Sequence, residues 1–204
     1  MDESGNFYLV IMLDNLSKYH LILASNSPRR KQLLASLGLS FEQQVLPDLD
    51  EAYPPHLQAG DIAEYIARAK AQAYLPTLQE NDLVLTADTI VYNEGKVYGK
   101  PQNREEACAM LAELSGKTHH VYTGVCLATT QWQRSFATDT KVSFAALSQD
   151  EIAYYVDTFQ PYDKAGAYGI QEWIGYVAVE NIEGSYFNVM GLPIQRIYQE
   201  LKQL

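Results

Sequence analysis

A chain of 204 residues is long enough to bury one α/β core without disulfides or a structural metal. Hydrophobic residues make up 47% of the chain and charged residues 20%, which excludes an intrinsically disordered protein. The net charge of −10 argues against a nucleic-acid polymer as partner, because phosphate backbones bind to basic surfaces. A small anionic ligand fits this charge only where basic residues are concentrated locally.

The cysteines and the apolar segments indicate in which cellular compartment the protein is found. Cys108 and Cys126 belong to no CxxC pair, so we expect two reduced structural thiols. We recognise no secretory signal, and the apolar run 7–13 is too short to span a bilayer. These features predict a cytoplasmic protein without membrane partners. Residues 1–19 are predicted to be an N-terminal extension, either a loose tail or a non-native start, before a single domain over residues 20–204.

Hydrophobic periodicity and turn residues predict strands that alternate with helices. In chain order, the predicted elements are strand 20–24, helix 29–37, strand 41–46, loop 47–60, helix 61–74, strand 82–92, turn 93–96, helix 103–114, strands 120–130 and 133–146, a helix opened by a capping box at 148–151, a Gly-rich loop 161–170, strand 175–182 and a last helix after Pro193. Ser27, Asp61 and Asn103 are the predicted N-caps of three of these helices. Alternation of this kind predicts an α/β fold, and the long hairpin makes the sheet mixed.

A basic turn, Ser25-Asn26-Ser27-Pro28-Arg29-Arg30-Lys31, follows the first predicted strand. A helix N-terminus offers free N–H groups, and cations placed there oppose the helix dipole by roughly 0.3–1 kcal/mol each. An anion bound in the turn would reverse that effect. The turn therefore predicts a phosphate site that uses Ser25, Ser27, Arg29 and Arg30. The alternative is a solvated basic helix end.

One carboxylate interrupts an otherwise apolar strand, at Asp88. A buried ionised carboxylate is costly unless it is paired or bound to a metal. Magnesium sites that handle phosphates often use one or two carboxylates together with substrate oxygens. Asp88 is therefore a candidate metal ligand or general base, against the alternative of an Asp that bonds backbone amides or pairs with a lysine. A second carboxylate is predicted at Glu51, although Asp48 and Asp50 in the same acidic run are alternatives.

Three lysines and one glutamine complete the set of candidate binding residues. Lys70, Lys100 and Lys164 can each bind a phosphate as a point charge, and the alternative for each is a solvated surface charge. Gln171 follows the late Gly-rich loop, and its amide carries donors and acceptors that match the edge of a nucleobase.

Other polar positions and motifs have ordinary interpretations. The pair His119-His120 has no third ligand nearby, so we expect a hydrogen-bonded structural histidine and no zinc site. Ser185 and Asn188 are typical of a turn or a cap. The chain contains no GxxxxGK[ST] loop, no GxGxxG and no GxSxG, so these motifs predict neither a P-loop, nor a dinucleotide fold, nor a nucleophile elbow.

Taken together, these segments resemble the Maf family of nucleotide pyrophosphatases. The matching pieces are 23–30 (LASNSPRR), 69–71 (AKA), 87–89 (ADT), 99–101 (GKP), 115–119 (SGKTH), 123–125 (TGV), 163–171 (DKAGAYGIQ), 184–189 (GSYFNV) and 191–193 (GLP). Single pieces are weak, but their number and order over residues 21–203 make the resemblance specific. The segment before His20 has no counterpart in the family pattern.

The resemblance implies an elongated α/β fold like that of the inosine triphosphate pyrophosphatases, with two lobes around a cleft. It also implies a homodimer and a divalent metal, usually Mg²⁺ or Mn²⁺. Asp88 matches the position treated as the catalytic proton acceptor. The positions that match base-selecting residues are Arg29, Thr89 and Gln171. The positions that match acidic and basic residues of the family cleft are Glu51, Lys70, Lys100 and Lys164.

The resemblance also implies a substrate class. In the subfamily that acts on dTTP and UTP, the Asp is followed by Thr and the late loop carries Gln. Thr89 and Gln171 therefore imply hydrolysis of dTTP and UTP to the monophosphate and pyrophosphate. One alternative is a pyrophosphatase for 7-methyl-GTP or for a broad set of non-standard nucleotides. The other is a regulator of cell division or septum formation that binds a nucleotide without turnover.

Overall fold

The computed structural model describes residues 13–46 and 51–204. The strands are β1 (His20–Leu23), β2 (Glu42–Gln43), β3 (Asp82–Asn93), β4 (Lys96–Tyr98), β5 (Thr118–Ala128), β6 (Gln133–Phe144) and β7 (Val179–Glu183). The helices are α1 (Pro28–Ala35), α2 (Gly60–Tyr74), α3 (Arg104–Leu114), α4 (Gln149–Phe159), α5 (Trp173–Val177), α6 (Tyr186–Val189) and α7 (Ile194–Leu201), with 3-10 turns at Asp14–Leu16, Leu75–Thr77 and Ala165–Ala167. Within the described residues, none of the helices has the length and apolar character that a bilayer crossing requires.

All seven strands belong to one sheet in the order β2-β1-β3-β5-β6-β7, with β4 paired to β3. β1 pairs in parallel with β2 and β3, whereas the pairings of β3, β5, β6 and β7 are antiparallel. The predicted mixed α/β fold is therefore confirmed.

Local sequence explains where α1, α3 and α4 begin. Ser27 caps α1 by accepting from the Arg30 amide at 3.4 Å, and Pro28 occupies the first turn. Asn103 caps α3 through the Glu106 amide at 2.9 Å. The predicted capping box at 148–151 is present at the start of α4. These caps satisfy amides that would otherwise lack a partner at each helix start.

Some predicted elements were wrong in extent or type. β2 has two residues, because only Glu42 and Gln43 pair with β1, and the expected strand over 41–46 does not extend further. α2 begins at Gly60, so Asp61 lies in its first turn and is not the N-cap. The predicted strand 175–182 begins as helix α5, and strand pairing starts only at Val179, where β6 becomes a neighbour.

The segment just before β1 packs on the domain. Leu13 is buried in the same group of core side chains as Leu21 and Leu83. Asn15 Nδ2 donates to the Leu201 carbonyl oxygen at 2.7 Å. Residues 1–12 lie outside the described residues, so the predicted separate extension stays a prediction.

Strand β3 has a gap along one of its edges. Its first four residues pair with β1, and its last three, Val91–Asn93, pair with β4 on the same side, while β5 accompanies the strand on the other side. Between these pairings, residues 86–90 have no strand neighbour on the β1 side within the described part of the chain. Asp88 and Thr89 lie in this gap, at the end of β1 where the basic turn begins. Ligands of open α/β sheets bind in such crevices beyond the strand ends.

Helix α2 packs closely across β3 and β5, and Gly124 makes this approach possible. Gly124 is paired with Asp88 in the sheet register. A Cβ atom at position 124 would lie 2.1 Å from the Ala63 carbonyl oxygen of α2, so only glycine fits there. The close approach brings Lys70, two turns after Ala63, over the gap in β3.

Candidate active site

The gap in β3 opens into a cleft of about 480 Å³. Every residue that the sequence predicted for the site lines this cleft, although the residues come from distant parts of the chain. They are Ser25, Ser27, Arg29, Arg30, Glu51, Lys70, Asp88, Thr89, Lys100, Lys164 and Gln171. The structure thus brings the predicted set together, while the role assigned to each residue stays a prediction. Asp48 and Asp50, the alternatives to Glu51, lie outside the described residues.

Two carboxylates in the cleft share one ammonium group. Lys70 Nζ lies 2.7 Å from Asp88 Oδ1 and 2.7 Å from Glu51 Oε1. Asp88 is buried in β3, whereas half of the Glu51 side chain is exposed on the preceding loop. The pairing with Lys70 balances a charge that would otherwise be costly inside the strand. The lysine pairing was the structural alternative for Asp88, and here it occurs inside the cleft.

The pKa values of these two carboxylates move in opposite directions. Burial raises the pKa of Asp88 above its ordinary value of 3.8, against the opposing attraction of Lys70. Burial also acts to raise the pKa of Glu51, but the hydrogen bond and charge of Lys70, with smaller contributions from Lys100 and Arg30, bring it below 4.5. Asp88 is therefore the better proton acceptor of the pair, and Glu51 is the more firmly ionised.

In the basic turn before α1, the hydroxyl groups of Ser25 and Ser27 both accept hydrogen bonds from backbone amides. The Ser27 amide donates to Ser25 Oγ at 3.2 Å, and the Arg30 amide donates to Ser27 Oγ at 3.4 Å. Each serine thus accepts a hydrogen bond from the protein, and its own O–H proton can still be donated to a ligand. This arrangement is compatible with the predicted phosphate site.

The Arg30 guanidinium closes the open edge of β3. Nε donates to the Gly191 carbonyl at 2.8 Å, Nη1 to the Ala87 carbonyl at 2.8 Å and Nη2 to Thr89 Oγ1 at 3.0 Å. These bonds use three of the five N–H groups, and the other two have no partner among the described residues and can donate to a ligand in the cleft. Burial lowers the pKa of Arg30, although the nearby Asp88 charge raises it in part. Arg30 is thus both a cleft residue and a fixed part of the sheet edge.

An acidic residue that the sequence analysis missed joins two predicted cations. Asp163 Oδ2 accepts from Arg29 Nη1 at 2.8 Å, and Asp163 Oδ1 pairs with Lys164 Nζ at 2.7 Å. Lys164 Nζ also lies 3.1 Å from Glu172 Oε1. Burial alone would raise the pKa of Asp163, but these two cations bring it to about 2. The position of Asp163 directly before Lys164 was the available signal, although adjacent charges in a loop are usually solvated.

Gly169 in the late loop lies close to several polar side chains of the cleft wall. A Cβ atom at Gly169 would lie 2.8 Å from Gln171 Nε2 and 3.0 Å from Lys164 Cε. The Gly169 amide donates to the Tyr155 hydroxyl at 3.0 Å, and this hydroxyl donates to Glu172. Gln171 Oε1 is buried and finds no partner among the described residues. An unpartnered buried acceptor in a cleft wall is suited to a ligand that donates a hydrogen bond.

The cleft is basic in a protein that is acidic as a whole. Five cationic side chains line it against three carboxylates, those of Glu51, Asp88 and Asp163. Lys100 is exposed at the cleft, and its charge contributes to the lowered pKa of Glu51. Local concentration of positive charge in a cleft attracts anions even when the net charge is negative.

The histidine pair does not belong to this site. His119 is buried outside the cleft lining, its Nε2 lies 2.8 Å from the Tyr168 hydroxyl, and burial lowers its pKa to about 4. The predicted structural role is therefore confirmed. Over residues 13–46 and 51–204, no group of three or more His, Cys, Asp or Glu side chains is arranged to hold a metal ion without help from a ligand.

Comparison with known proteins matches the chain along most of its length. The family model described as Maf-like protein matches residues 20–204. The dTTP/UTP pyrophosphatase of Bacteroides thetaiotaomicron is 58% identical over 193 residues, which cover 95% of this chain and 100% of that protein. The dTTP/UTP pyrophosphatase of Bacteroides fragilis strain NCTC 9343 is 60% identical with the same coverage. The solved structure of the Staphylococcus aureus Ham1 protein has a TM-score of 0.47 and 15% sequence identity, over 89% of this chain and 99% of that chain. All the predicted site residues lie within the range that the family model matches.

Proposed function

Because the chain belongs to the Maf-like protein family, we propose that it hydrolyses nucleoside triphosphates, with dTTP and UTP preferred, to the monophosphate and pyrophosphate. Relatives with 58% and 60% identity carry the name dTTP/UTP pyrophosphatase. The observation that carries the proposal is the buried Asp88, whose pKa is raised, in a cleft with five cationic side chains. A proton acceptor beside a concentration of positive charge is what hydrolysis of a triphosphate needs.

The triphosphate is bound between the basic turn and the lysines. The hydroxyl protons of Ser25 and Ser27 and the two remaining N–H groups of Arg30 donate to phosphate oxygens. Lys100 and Lys164 add further positive charge to the cleft. Donors that are already fixed by the protein stabilise the charge that develops during phosphoryl displacement without having to reorganise.

Asp88 accepts the proton of the attacking water. Lys70 holds Asp88 Oδ1, so Oδ2 is the oxygen that receives the proton. The water oxygen forms a bond to the α-phosphorus while the bond from this phosphorus to the bridging oxygen breaks. Pyrophosphate leaves with the bridging oxygen, and the nucleoside monophosphate stays with the new oxygen.

A divalent cation, Mg²⁺ or Mn²⁺, is part of this proposal. Asp88 Oδ1 and Glu51 Oε1 both lie 2.7 Å from Lys70 Nζ, so the two carboxylates are close together at the edge of the cleft, with the ammonium between these two oxygens. Two carboxylates fit such an ion when phosphate oxygens of the substrate supply further ligands. The bound ion would neutralise charge on the phosphate oxygens.

The preference for a pyrimidine is supported by Gln171. Thymine and uracil present an N3–H donor between two carbonyl acceptors. The unpartnered Gln171 Oε1 can accept from N3–H, and Nε2 can donate to a carbonyl of the same edge. In this orientation of the amide, cytosine would place its unprotonated N3 opposite the Gln171 Oε1 acceptor, so discrimination against cytosine requires that the amide does not turn over. Arg29 and Thr89 stay predicted base-selecting residues from the family resemblance.

We also propose a homodimer that acts in the cytoplasm, and both parts rest on the sequence. The family resemblance supports the dimer. Cys108 and Cys126 are both free thiols in the structure, which suits a reducing compartment. Light scattering of the purified protein at several concentrations tests the dimer, and a monomer at all of them would contradict it.

The experiment that tests the function is pyrophosphate release from dTTP, UTP, CTP, 7-methyl-GTP and ITP, with and without magnesium. Metal-dependent release that is fastest from dTTP and UTP is the expected result. Fastest release from 7-methyl-GTP or ITP would keep the enzyme class and overturn the base preference. No release from any nucleotide with Mg²⁺ or Mn²⁺ would overturn the enzyme and leave the nucleotide-binding regulator.

A further inference from the structure

Behind the cleft, two threonines face each other across neighbouring strands. Thr89 of β3 is paired with Thr123 of β5 in the sheet register, and their Oγ1 atoms lie 3.0 Å apart. Thr89 lines the cleft, whereas Thr123 is fully buried and does not line it. Thr89 also accepts from Arg30 Nη2 at 3.0 Å. A buried hydroxyl that no ligand can reach is therefore one hydrogen bond away from a cleft residue that contacts Arg30.

The direction of these hydrogen bonds follows from counting protons. Thr123 Oγ1 lies 3.0 Å from the Asn188 carbonyl oxygen, which can only accept, so the single Thr123 proton goes there. Thr89 must then donate its own proton to Thr123. The guanidinium of Arg30 can only donate, and it does so to one of the two lone pairs of Thr89 Oγ1. Both hydroxyls then donate and accept one hydrogen bond each, and the bonds run in one direction, from Arg30 through both threonines to the Asn188 backbone carbonyl.

A second path from Arg30 ends at the same carbonyl. Arg30 Nε donates to the Gly191 carbonyl at 2.8 Å, and the Gly191 amide donates to the Asn188 carbonyl at 2.9 Å. The Asn188 side chain is itself fixed, because its Nδ2 donates to the Val121 carbonyl at 3.0 Å. Two nitrogens of the Arg30 guanidinium are thus linked, through two chains of hydrogen bonds, to the Asn188 backbone carbonyl.

We propose that Thr123 is a positioning residue that fixes the direction of the Arg30 guanidinium through the Thr89 hydroxyl. The inference rests on the proposed function, in which Arg30 binds phosphate oxygens. Its consequence is that the Thr89 proton is used inside the protein, so Thr89 acts on phosphate binding through Arg30. The base selection that the family resemblance predicts for Thr89 then cannot come from a hydrogen bond donated by its hydroxyl. Rotation of Thr89 towards a ligand would leave Thr123 without its hydrogen-bond donor.

The test begins with Thr123→Val, which keeps the shape of the side chain and removes the hydroxyl. Losing one hydrogen bond is expected to lower kcat/KM for UTP roughly tenfold. The kcat/KM for CTP falls by the same factor, because the change acts on phosphate binding. Thr123→Ser keeps the hydroxyl and restores kcat/KM to within about threefold of wild type. A changed ratio of UTP to CTP would overturn the proposal, and so would a Ser variant as slow as the Val variant.

A double-mutant cycle separates positioning from simple destabilisation. If Thr123 acts through Thr89, the double variant Thr89→Val/Thr123→Val is no slower than Thr89→Val alone. Losses that multiply would overturn the proposal. The matched control is Thr86→Val, because Thr86 is a buried residue of β3 outside the cleft lining that donates to the Ala67 carbonyl at 2.6 Å. This variant is expected to lose stability with unchanged kcat/KM.

The wild-type measurement keeps the two proposals apart. A wild-type protein that releases pyrophosphate, with Thr123→Val equally active, overturns only the role of Thr123. An inactive wild type overturns the proposed function itself. If Thr123→Val does not fold, Thr123→Cys replaces it, since the thiol has a similar volume and is only a weak donor. Wild-type kcat/KM in the folded Cys variant would overturn the positioning role.

Discussion

Strand β3 and the loop before α2 each bring one carboxylate to Lys70, and the two respond in opposite ways. Asp88 and Glu51 lie at the same distance of 2.7 Å from the ammonium nitrogen. The pKa of Asp88 is nevertheless raised, while that of Glu51 is lowered. The partner is shared, so the difference comes from the surroundings. The strand buries most of the Asp88 side chain, whereas the loop leaves half of Glu51 in water.

This difference separates two roles that one pair of carboxylates can serve. A carboxylate whose pKa lies nearer to neutral pH is a better general base, whereas one that stays ionised suits a cation or a charged ligand. In the proposed function, the strand therefore supplies the group that takes a proton, and the loop supplies the group that stays charged.

The largest expected effect is that of Asp88→Asn. The amide keeps the shape of the side chain but cannot accept the proton of water, so kcat is expected to fall by roughly 10²–10⁴. The variant is expected to fold, because it removes a buried charge that raises the free energy of the native state. Pyrophosphate release and thermal unfolding measure the two effects. Activity close to wild type would remove Asp88 from the mechanism.

The matched control lies at the other end of the same strand. Asp82 is also buried, but it accepts from the Gln79 amide at 2.8 Å and from His20, away from the cleft. Asp82→Asn is expected to leave kcat/KM unchanged and to cost about 1–3 kcal/mol of stability, because the turn before β3 loses a charged acceptor. An equal loss of activity in both variants would mean that any change in β3 disturbs the site.

The next effect is that of Lys70→Met, which removes the shared partner. Both carboxylates lose their cation, and the free energy of unfolding is expected to fall by about 2–4 kcal/mol, since the half-exposed Glu51 can still turn to water. The pKa of Asp88 rises further without the attraction of Lys70. The acid limb of kcat/KM therefore moves to higher pH. Urea unfolding and a pH profile provide the measurements, and an unmoved limb would mean that Asp88 is not the titrating group.

Much of this arrangement could be predicted from the sequence, because its signals are local. The cap at Ser27, the capping box at 148–151 and the isolated Asp88 in an apolar strand all follow from neighbouring residues. The inward-facing bonds of Arg30 could not be predicted, since they depend on the gap in β3 that β1 and β4 leave when they pair with it. The pairing of Asp163 with Arg29 also depends on the folded chain, because 134 positions separate the two residues in the sequence.

Glu51→Gln is expected to give a smaller shift in the opposite direction. The Glu51 charge contributes to the raised pKa of Asp88, so its removal lowers that pKa. Lys70 is then free to pair with Asp88 alone. The acid limb of kcat/KM moves to lower pH than in wild type, and a higher magnesium concentration is needed for half-maximal activity. Titration of activity with magnesium at several pH values measures both changes. An acid limb that moves upward would mean that the two carboxylates do not interact.

The smallest effect concerns Asp163, whose pKa is lowered, as that of Glu51 is, whereas the pKa of Asp88 is raised. Its pKa is lowered from 3.8 to about 2 by Lys164 and Arg29, so its ionised form stabilises the native state above pH 3.8, and this stabilisation is lost as the pH falls towards 2. The Asp163 side chain is 57% exposed, so screening by water limits the contribution at neutral pH to at most about 1 kcal/mol. The Tm of Asp163→Asn is therefore expected to lie slightly below that of wild type at pH 7 and to equal it near pH 2. For Asp88→Asn, the raised pKa predicts no such loss at neutral pH. A Tm difference for Asp163→Asn that grows as the pH falls would reverse the sign of the linkage and contradict the ion pairs of Asp163.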